Sequence, residues 1–221
     1  MDTTTLVERL SALDTCAVSD ALDSIGRSGA VIGLVRRSTN ATIAGRVQTM
    51  KLSAGEPPGD SKSHLGTYSI EEARETDVIV VEQRSGIDAA GWGGLLATAA
   101  KAKGVRGIIV EGPARDIDEY EQIGLPVFSR STTPRTARGR IHESGRNVEI
   151  RVGDVAVAPG DLVIADGTGV VFLPAAIAED VIGIAEKIVT REKRMSEDVL
   201  TGQPVTEVMG KDYETLLRTQ D

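Results

Sequence analysis

The chain has 221 residues, of which 40% are hydrophobic and 26% charged, and this composition is typical of one compact globular domain rather than a disordered segment. Aromatic residues make up only 3% of the chain, so we expect a core of valine, isoleucine, leucine and alanine. The formal net charge of -8 weighs against nucleic-acid binding through a broad basic surface, but it is compatible with a local cationic pocket for an acidic metabolite.

Cys16 is the only cysteine, so the chain cannot form an internal disulfide, which is typical of a reducing compartment. Its surroundings favour a small core residue at the start of a helix over a nucleophile. The N-terminal sequence "MDTTTLVERL" lacks a basic region followed by an apolar segment, and no run reaches the roughly 20 apolar residues that a membrane span needs. The sequence therefore predicts a soluble cytoplasmic protein that does not bind membranes.

The first third of the chain is predicted to contain helices in "TLVERLSAL" and "VSDALDSIG", the second beginning at Ser19 or Asp20 and ending at Gly26. A strand is predicted in "TIAGRVQTMKL", whose glycine indicates a bulge or a close approach of another segment. The proline- and glycine-rich segment "SAGEPPGDSKS" is typical of a loop.

The central part alternates between helices and strands. A helix in "LGTYSIEEARE" precedes a buried strand in "DVIVVE", and a helix in "LLATAAKAKG" precedes a buried strand in "VRGIIVEG". A short helix in "DIDEYEQIG", ended by Gly124, then leads to a strand in "LPVFSRS". This alternation predicts a parallel sheet covered by helices.

The pattern becomes rich in strands in "VEIRVGDVAVAPGDLVIADGTGVVFLP", where Pro159-Gly160 and Gly167-Thr168-Gly169 are predicted as turns between hairpin strands. An amphipathic helix is predicted from Ala175 to about Arg194, with a further polar helix after "TGQP". The fold class is therefore α/β with mixed sheets, in a single domain over residues 1–221.

Two neighbouring motifs could carry chemistry. In "GWGGLLATAAKAKG", Gly91, Gly93 and Gly94 precede a helix whose first N–H groups can attract an anion, although tight helix-to-sheet packing explains these glycines equally well. In "EGPARDIDE", Arg115 and Asp116 follow a buried strand, at the sheet edge where open α/β folds bind ligands. Together the two loops describe a site for a small acid and a divalent cation.

Each residue of the second motif also has a plainer interpretation. Asp116 could cap the following helix, with Glu119 three residues later completing an approximate capping box. Arg115 could be an ordinary solvated arginine. Both interpretations stay open when these residues are considered alone.

The ordered motifs "VSDALD", "GWGGLLATAAKAKGV", "GIIVEGPARDIDE" and "VAPGDLVIADGTGVVFLP" resemble those of the class II 4-hydroxy-4-methyl-2-oxoglutarate aldolases and the related regulator of ribonuclease E activity A. This resemblance covers most of the chain. It implies a β/β/α sandwich resembling the phosphohistidine swivelling domain. It also implies a homotrimer or a dimer of trimers, and we expect the C-terminal helices, about residues 175–221, to lie in the subunit contacts.

The resemblance also implies the roles of individual residues. The backbone amides of a substrate loop, Gly93, Gly94, Leu95 and Leu96, would hold the carboxylate of a pyruvyl group. Arg115 would bind the substrate and act as the catalytic cation, and Asp116 would bind Mg²⁺ or Mn²⁺. The implied function is a divalent-metal-dependent lyase that cleaves or decarboxylates a small 2-oxo acid.

This chain departs from the family pattern at two positions. Gly94 stands where aldolase-active members usually carry an acidic residue, and Glu111 replaces the usual aspartate of a V-x-D-G segment. Asp88 could compensate, but a loop or turn aspartate is the favoured interpretation. Two alternatives therefore stay open: a non-catalytic regulator that binds a ribonuclease or helicase, and an enzyme of specialised metabolism that uses the pocket for another carbonyl substrate.

Other candidate residues carry weaker signals. We expect His64 to lie on the surface or at a helix start, because no paired ligand lies nearby, and His142 to lie in a solvated loop, because charged residues surround it. The basic cluster from Arg130 to Arg140 is expected in a solvated loop over a subunit contact rather than at a phosphate site. Glu192 lies near the position where family members offer a glutamate to a neighbouring subunit.

Overall fold

A computed structural model describes residues 1–59 and 63–210 of the chain. The helices are α1 (Thr3–Leu10), α2 (Thr15–Ser24), α3 (Thr67–Glu72), α4 (Gly94–Lys103), α5 (Ile117–Ile123), α6 (Ala178–Leu200), preceded by a 3-10 turn at Ala175–Ile177, and α7 (Val205–Val208). The strands are β1 (Ala30–Val31), β2 (Val35–Arg36), β3 (Ile43–Ala54), β4 (Asp77–Gln83), β5 (Gly107–Ala114), β6 (Val127–Thr132), β7 (Ile141–Arg146), β8 (Ile150–Val152), β9 (Val155–Val157), β10 (Leu162–Ala165) and β11 (Val170–Leu173).

In the described ranges, nine strands form one mixed sheet in the order β1-β11-β10-β3-β4-β5-β6-β2, with β7 also paired to β3. Strands β3, β4, β5 and β6 are parallel neighbours, as the alternating central pattern predicts. The long strand β3 pairs antiparallel with β10 through its first part and with β7 through its last part. The α/β class with a mixed sheet and a C-terminal helix is confirmed.

Both faces of the central sheet are covered, which explains the continuous apolar runs of its strands. All residues of β4 are buried. On one face, Ile79 and Ile108 belong to a cluster that includes residues of α3, α4 and α5. On the other face, Val80 and Ile109 pack in a cluster with the separate β8–β9 hairpin. Helices α1, α2 and α6 share a third cluster with β10 and β11.

The start of α2 differs from the prediction. The helix begins at Thr15, because the Asp14 side chain caps it by accepting a hydrogen bond from Ala17 N at 2.9 Å. The expectation that Cys16 is a small core residue is also wrong, since the residue is exposed. The inner face of α2 carries Ala17, Val18, Ala21 and Leu22, and helical periodicity turns Cys16 away from it.

The strand-rich region also differs in detail. Pro159-Gly160 connects β9 of the small sheet to β10 of the large one, so it does not join two paired strands. The turn at Gly167-Thr168-Gly169 does join the hairpin β10–β11, as predicted. Helix α6 extends to Leu200 rather than to about Arg194. In the part of the chain that the structure covers, no helix is both long and apolar enough to span a bilayer.

Candidate active site

The two predicted loops meet at the carboxyl edge of the parallel strands β4 and β5. Backbone hydrogen bonds join them, because Gly91 N donates to the Pro113 carbonyl at 2.8 Å and Arg115 N donates to the Trp92 carbonyl at 3.1 Å. The start of α4 and the start of α5 are thereby held side by side. Adjacent parallel strands place their following loops at the same edge, which is the usual position of ligand sites in such sheets.

Asp116 adopts a left-handed backbone with φ of 61° and does not cap α5 through its side chain. The interpretation of Asp116 as the cap of its own helix is therefore wrong. Its Oδ2 atom instead accepts a hydrogen bond from Gly94 N, in the first turn of α4, at 2.9 Å. The same oxygen lies 3.3 Å from Nε of Arg115, while Oδ1 takes part in neither contact.

Arg115 is half-buried beside this carboxylate. A Cβ atom on Gly93 would lie 3.0 Å from Nε of Arg115 and 2.9 Å from Oδ2 of Asp116. These distances are shorter than ordinary van der Waals contacts, so Gly93 allows the guanidinium and the carboxylate to approach the α4 backbone.

A cavity of about 370 Å³ opens at this point. The predicted residues Gly93, Gly94, Leu95, Leu96 and Arg115 all contribute to its lining. Asp116 lies against these residues through its contacts with Gly94 and Arg115. The structure therefore brings all the predicted site residues together.

The α4 N-terminus offers donors to this cavity. The first hydrogen bond within α4 runs from Ala97 N to the Gly93 carbonyl at 3.0 Å, so the N–H groups of Leu95 and Leu96 precede the regular helical pattern. Such N–H groups, with the helix dipole behind them, favour a carboxylate.

Sequence reasoning missed the walls of the cavity. Leu65, Ile70 and Trp92 line it, and they are 7%, 6% and 1% exposed. Two of them come from the loop before α3 and from α3 itself, so no spacing signal near the "EGPARDIDE" motif could have identified them. Trp92 Nε1 is buried without a hydrogen-bond partner in the described structure. Leu65, Ile70 and Trp92 therefore form an apolar wall of the cavity, whose lining also includes the charged residues Glu71 and Arg138.

Tyr120 supports the site from behind. Its hydroxyl donates to the Trp92 carbonyl at 3.1 Å, and its side chain is fully buried. Burial, and secondly the negative charge of Asp116, raise the pKa of Tyr120. The phenol therefore stays protonated and keeps its donor directed at the loop that precedes Gly93.

The structure explains one departure from the family pattern. Glu111 is 8% exposed and accepts a hydrogen bond from Nε of Arg130 at 2.8 Å, so it forms a partly buried ion pair between β5 and β6. Asp88 does not join the cavity wall; its carboxylate is 58% exposed and lies 3.6 Å from Arg135. The interpretation of Asp88 as a loop aspartate is confirmed.

The histidines have different surroundings. His64 is exposed, and its carbonyl accepts a hydrogen bond from Thr67 Oγ1 at the start of α3, as expected for a residue near a helix start. His64 also lines the candidate cavity and a neighbouring cavity of about 690 Å³. His142 was expected in a solvated loop, but it lies in β7, half-buried, with Nδ1 3.1 Å from the Gly55 carbonyl.

The remaining candidates lie apart from the cavity or at its rim. Arg130 belongs to β6 rather than to a loop, because the backbone of this segment pairs with β5, and its side chain forms the ion pair with Glu111 on that strand. Arg138 is exposed and lines the cavity. Glu192 lies on α6, where desolvation, and then the charges of Asp14 and Asp20, raise its pKa.

The donor set at the site suits a hydrated divalent cation. No group of three or more histidine, cysteine, aspartate or glutamate side chains in the described ranges could form a protein-only metal cage. Mg²⁺ instead commonly uses one or two carboxylates and keeps several waters. Asp116 supplies one carboxylate, and the space beside the Gly94 Cα is filled by a second, from Glu119.

The chain is similar to other proteins over most of its length. It is 28% identical over 211 residues to a Halalkalibacterium halodurans protein named "Putative 4-hydroxy-4-methyl-2-oxoglutarate aldolase", covering 92% of this chain and 94% of that one. It is also 25% identical over 208 residues to Protein DlpA of Legionella pneumophila. That match covers 94% of this chain, but the chain spans only 34% of the length of DlpA.

Solved structures share the fold. An uncharacterized protein from Pseudomonas syringae pv. tomato superposes with a TM-score of 0.83 at 27% identity, covering 94% of this chain and 98% of that one. Streptomyces coelicolor RraAS2, described as an unusual member of the RNase ES inhibitor RraA protein family, superposes with a TM-score of 0.77 at 24% identity. It covers 87% of this chain and 97% of its own, and it supports the fold alone. Residues 15–172 match the RraA-like family described as Aldolase/RraA, and the chain belongs to this family.

Proposed function

We propose that this protein is a divalent-metal-dependent lyase that cleaves a small 2-oxo acid by a retro-aldol reaction or decarboxylates it. The observation that carries the proposal is the placement of Arg115 and Asp116 against the N-terminus of α4, at the mouth of a cavity. The names of relatives in the family support aldolase chemistry in general.

Each protein group has a role in this proposal. The N–H groups at the start of α4 bind the substrate carboxylate, and Arg115 lies beside the 2-oxo group. In both reactions the C3–C4 bond breaks and its electron pair is delocalised into the 2-oxo group, which gives the enolate of pyruvate. C4 leaves as an aldehyde or ketone, whose hydroxyl has lost its proton to solvent, or as CO2. Protonation of the enolate at C3 from solvent then gives pyruvate. The guanidinium stabilises the negative charge that develops on that oxygen.

Asp116 is the residue that would hold Mg²⁺ or Mn²⁺, because its Oδ1 takes part in neither of the contacts described above. The cation, when bound, would supply Lewis-acid polarisation of the 2-oxo acid. Arg115 and the α4 N–H groups would keep the substrate oriented beside it. The proposed assembly is a homotrimer or a dimer of trimers.

The apolar wall bears on the part of the substrate remote from its carboxylate. Leu65, Ile70 and Trp92 offer no charge to that part, although Glu71 and Arg138 also line the cavity with opposite charges. We expect the cavity to accept an aliphatic group at C4 better than a second carboxylate, because an unpaired carboxylate is costly to desolvate.

The test is pyruvate release from a panel of 2-oxo acids. The panel should contain oxaloacetate, 4-hydroxy-4-methyl-2-oxoglutarate and 4-hydroxy-2-oxo acids with neutral alkyl chains, each assayed with Mg²⁺, with Mn²⁺ and with a chelator. We expect metal-dependent release from at least one compound, with higher kcat/KM for the alkyl series. Failure to release pyruvate from any of them would contradict the proposed lyase.

A second candidate is a non-catalytic regulator that binds a ribonuclease or helicase. The family description includes RraA, and the absence of an acidic residue at Gly94 favours this alternative. Inhibition of a ribonuclease by an inactive protein would support it. The third candidate is an enzyme of specialised metabolism that acts on a different carbonyl compound. Assays on a panel widened to other carbonyl compounds would test it.

A further inference from the structure

The carboxylate of Glu119 lies against Gly94. A Cβ atom built on Gly94 would overlap Oε2 of Glu119 and would lie only 2.6 Å from its Cδ atom. The same Cβ atom would lie 3.3 Å from Cβ of Asp116. The volume that any side chain at position 94 would need is therefore occupied by a carboxylate from α5.

The position of Glu119 follows from the geometry of α5. Asp116 immediately precedes this helix, and Glu119 follows Asp116 by three residues, so the two side chains lie on the same side of the first turn. The positive end of the α4 dipole faces both carboxylates and favours their approach. Among the described residues, Glu119 forms no ion pair.

We propose that Glu119 is the second carboxylate of the site and a positioning residue for the divalent cation and its bound water. This inference rests on the proposed function. The acidic side chain that the family resemblance leads one to expect at Gly94 is replaced by one that reaches the same space from the neighbouring helix. Gly94 and Glu119 therefore act as a pair, because the glycine leaves the room that the carboxylate fills.

The pairing predicts an unusual effect of a single methyl group. The carboxylate of Glu119 is at the end of a flexible side chain and can rotate away from Gly94. Gly94→Ala should therefore displace this carboxylate without unfolding the protein. Gly94→Ala should thus reproduce the effect of Glu119→Gln, although it removes no charge.

The experiment measures Mn²⁺ binding by calorimetry on the 221-residue chain. The variants are Glu119→Gln, Gly94→Ala and their combination, with Asp118→Asn as the matched control, because Asp118 is an exposed carboxylate on the same turn. We expect Glu119→Gln and Gly94→Ala each to weaken Mn²⁺ binding by about 10–100-fold, the range typical of residues that support a metal ligand. The combined variant should bind no more weakly than Glu119→Gln alone, and the control should bind like the wild type.

A relocation variant makes the test sharper. Gly94→Asp combined with Glu119→Ala returns a carboxylate to the same space from α4, and we expect it to bind Mn²⁺ more tightly than Glu119→Ala alone. Thermal melting of every variant checks that the fold is intact. Wild-type affinity in both Glu119→Gln and Gly94→Ala would overturn this inference and leave the proposed function standing. Absence of Mn²⁺ binding by the wild type would overturn the cation of the proposed function and this inference with it.

Discussion

The backbone N–H of Gly94 donates to Oδ2 of Asp116 across 2.9 Å, so the residue that precedes α5 caps α4. One carboxylate therefore satisfies a helix end that is otherwise open and holds the loop beside Arg115. The arrangement places a negative side chain, a guanidinium and free helix N–H groups within one small region. The cap and the proposed metal ligand are the same residue, and their contributions can be separated by substitution.

Asp116→Asn tests the charge while retaining the hydrogen bond. Asparagine tolerates the φ of 61° at this position, and its amide oxygen can still accept from Gly94 N. We expect Mn²⁺ binding, measured by calorimetry, to be lost, with a change in unfolding free energy of less than about 1 kcal/mol. Asp116→Ala should lose the cap as well and unfold more readily. Unchanged Mn²⁺ binding by Asp116→Asn would show that Asp116 is only the cap of α4.

Arg115→Ala should lower turnover of whichever 2-oxo acid the wild type cleaves by about 10²–10³, the usual effect of removing a stabiliser of developing negative charge. Arg115→Lys should recover only part of this loss, because an ammonium group lacks the planar fork that contacts two oxygens. The matched control is Arg135→Ala, which removes an exposed arginine whose carboxylate partner is 3.6 Å away. A surface ion pair of this kind contributes only about 0–1 kcal/mol to stability. Full turnover by Arg115→Ala would contradict its catalytic role.

The environment of the Asp166 carboxylate predicts that the stability of the protein depends on pH. Burial alone would raise the pKa of Asp166, but hydrogen bonds from Thr15, Thr168 and Gly169 together outweigh this effect and lower it. Its carboxylate accepts from Thr15 N at 2.9 Å and from Thr15 Oγ1 at 2.8 Å, which joins α2 to the β10–β11 turn. Because the folded-state pKa is depressed, the stabilisation is complete above about pH 4, the unfolded pKa of an aspartate, and is lost as the pH falls through the folded value.

The measurement compares urea unfolding of the wild type and Asp166→Asn between pH 7 and pH 2. At pH 7 the variant should be less stable by roughly 2 kcal/mol, a typical cost for hydrogen bonds to a charged group. The difference in unfolding free energy between the two proteins should shrink towards zero at the lowest pH, because the other carboxylates titrate equally in both. A constant difference across this range would rule out the titration of Asp166 as its cause.

The second half of α6 predicts self-association. Its buried residues end at Ala185, whereas Val199 and Leu200 near its end are 37% and 86% exposed. Exposed Val205 and Met209 follow them. We expect light scattering at micromolar concentration to give a trimer or a hexamer. Leu200→Glu should weaken the association of the subunits, because a carboxylate would have to be buried in the interface. A strict monomer would contradict this prediction. Residues 211–221, part of the expected subunit contact, lie outside the described residues.

Local sequence patterns were sufficient to predict the parallel core and the loops that carry the candidate site. Continuous apolar runs such as "DVIVVE" can be buried only when a strand is covered on both faces, and β4 and β5 satisfy this condition. Gly124 predicted the end of α5, and its φ of 69° suits a residue without a side chain. Arg115 and Asp116 were placed at the sheet edge for the same local reasons.

The groups that these residues contact depend instead on long-range packing. The local pattern around Asp116 suits a cap of α5, but the carboxylate turns to α4 because the two loops are joined by long-range backbone hydrogen bonds. The apolar cavity wall combines Ile70 and Trp92 from separate elements, and β7 forms because β3 is long enough to pair with a second antiparallel strand. The position of Glu119 over Gly94 depends on how α4 and α5 pack together. The sequence pattern indicates the spacing of residues along each helix, but it does not indicate the distance between two helices.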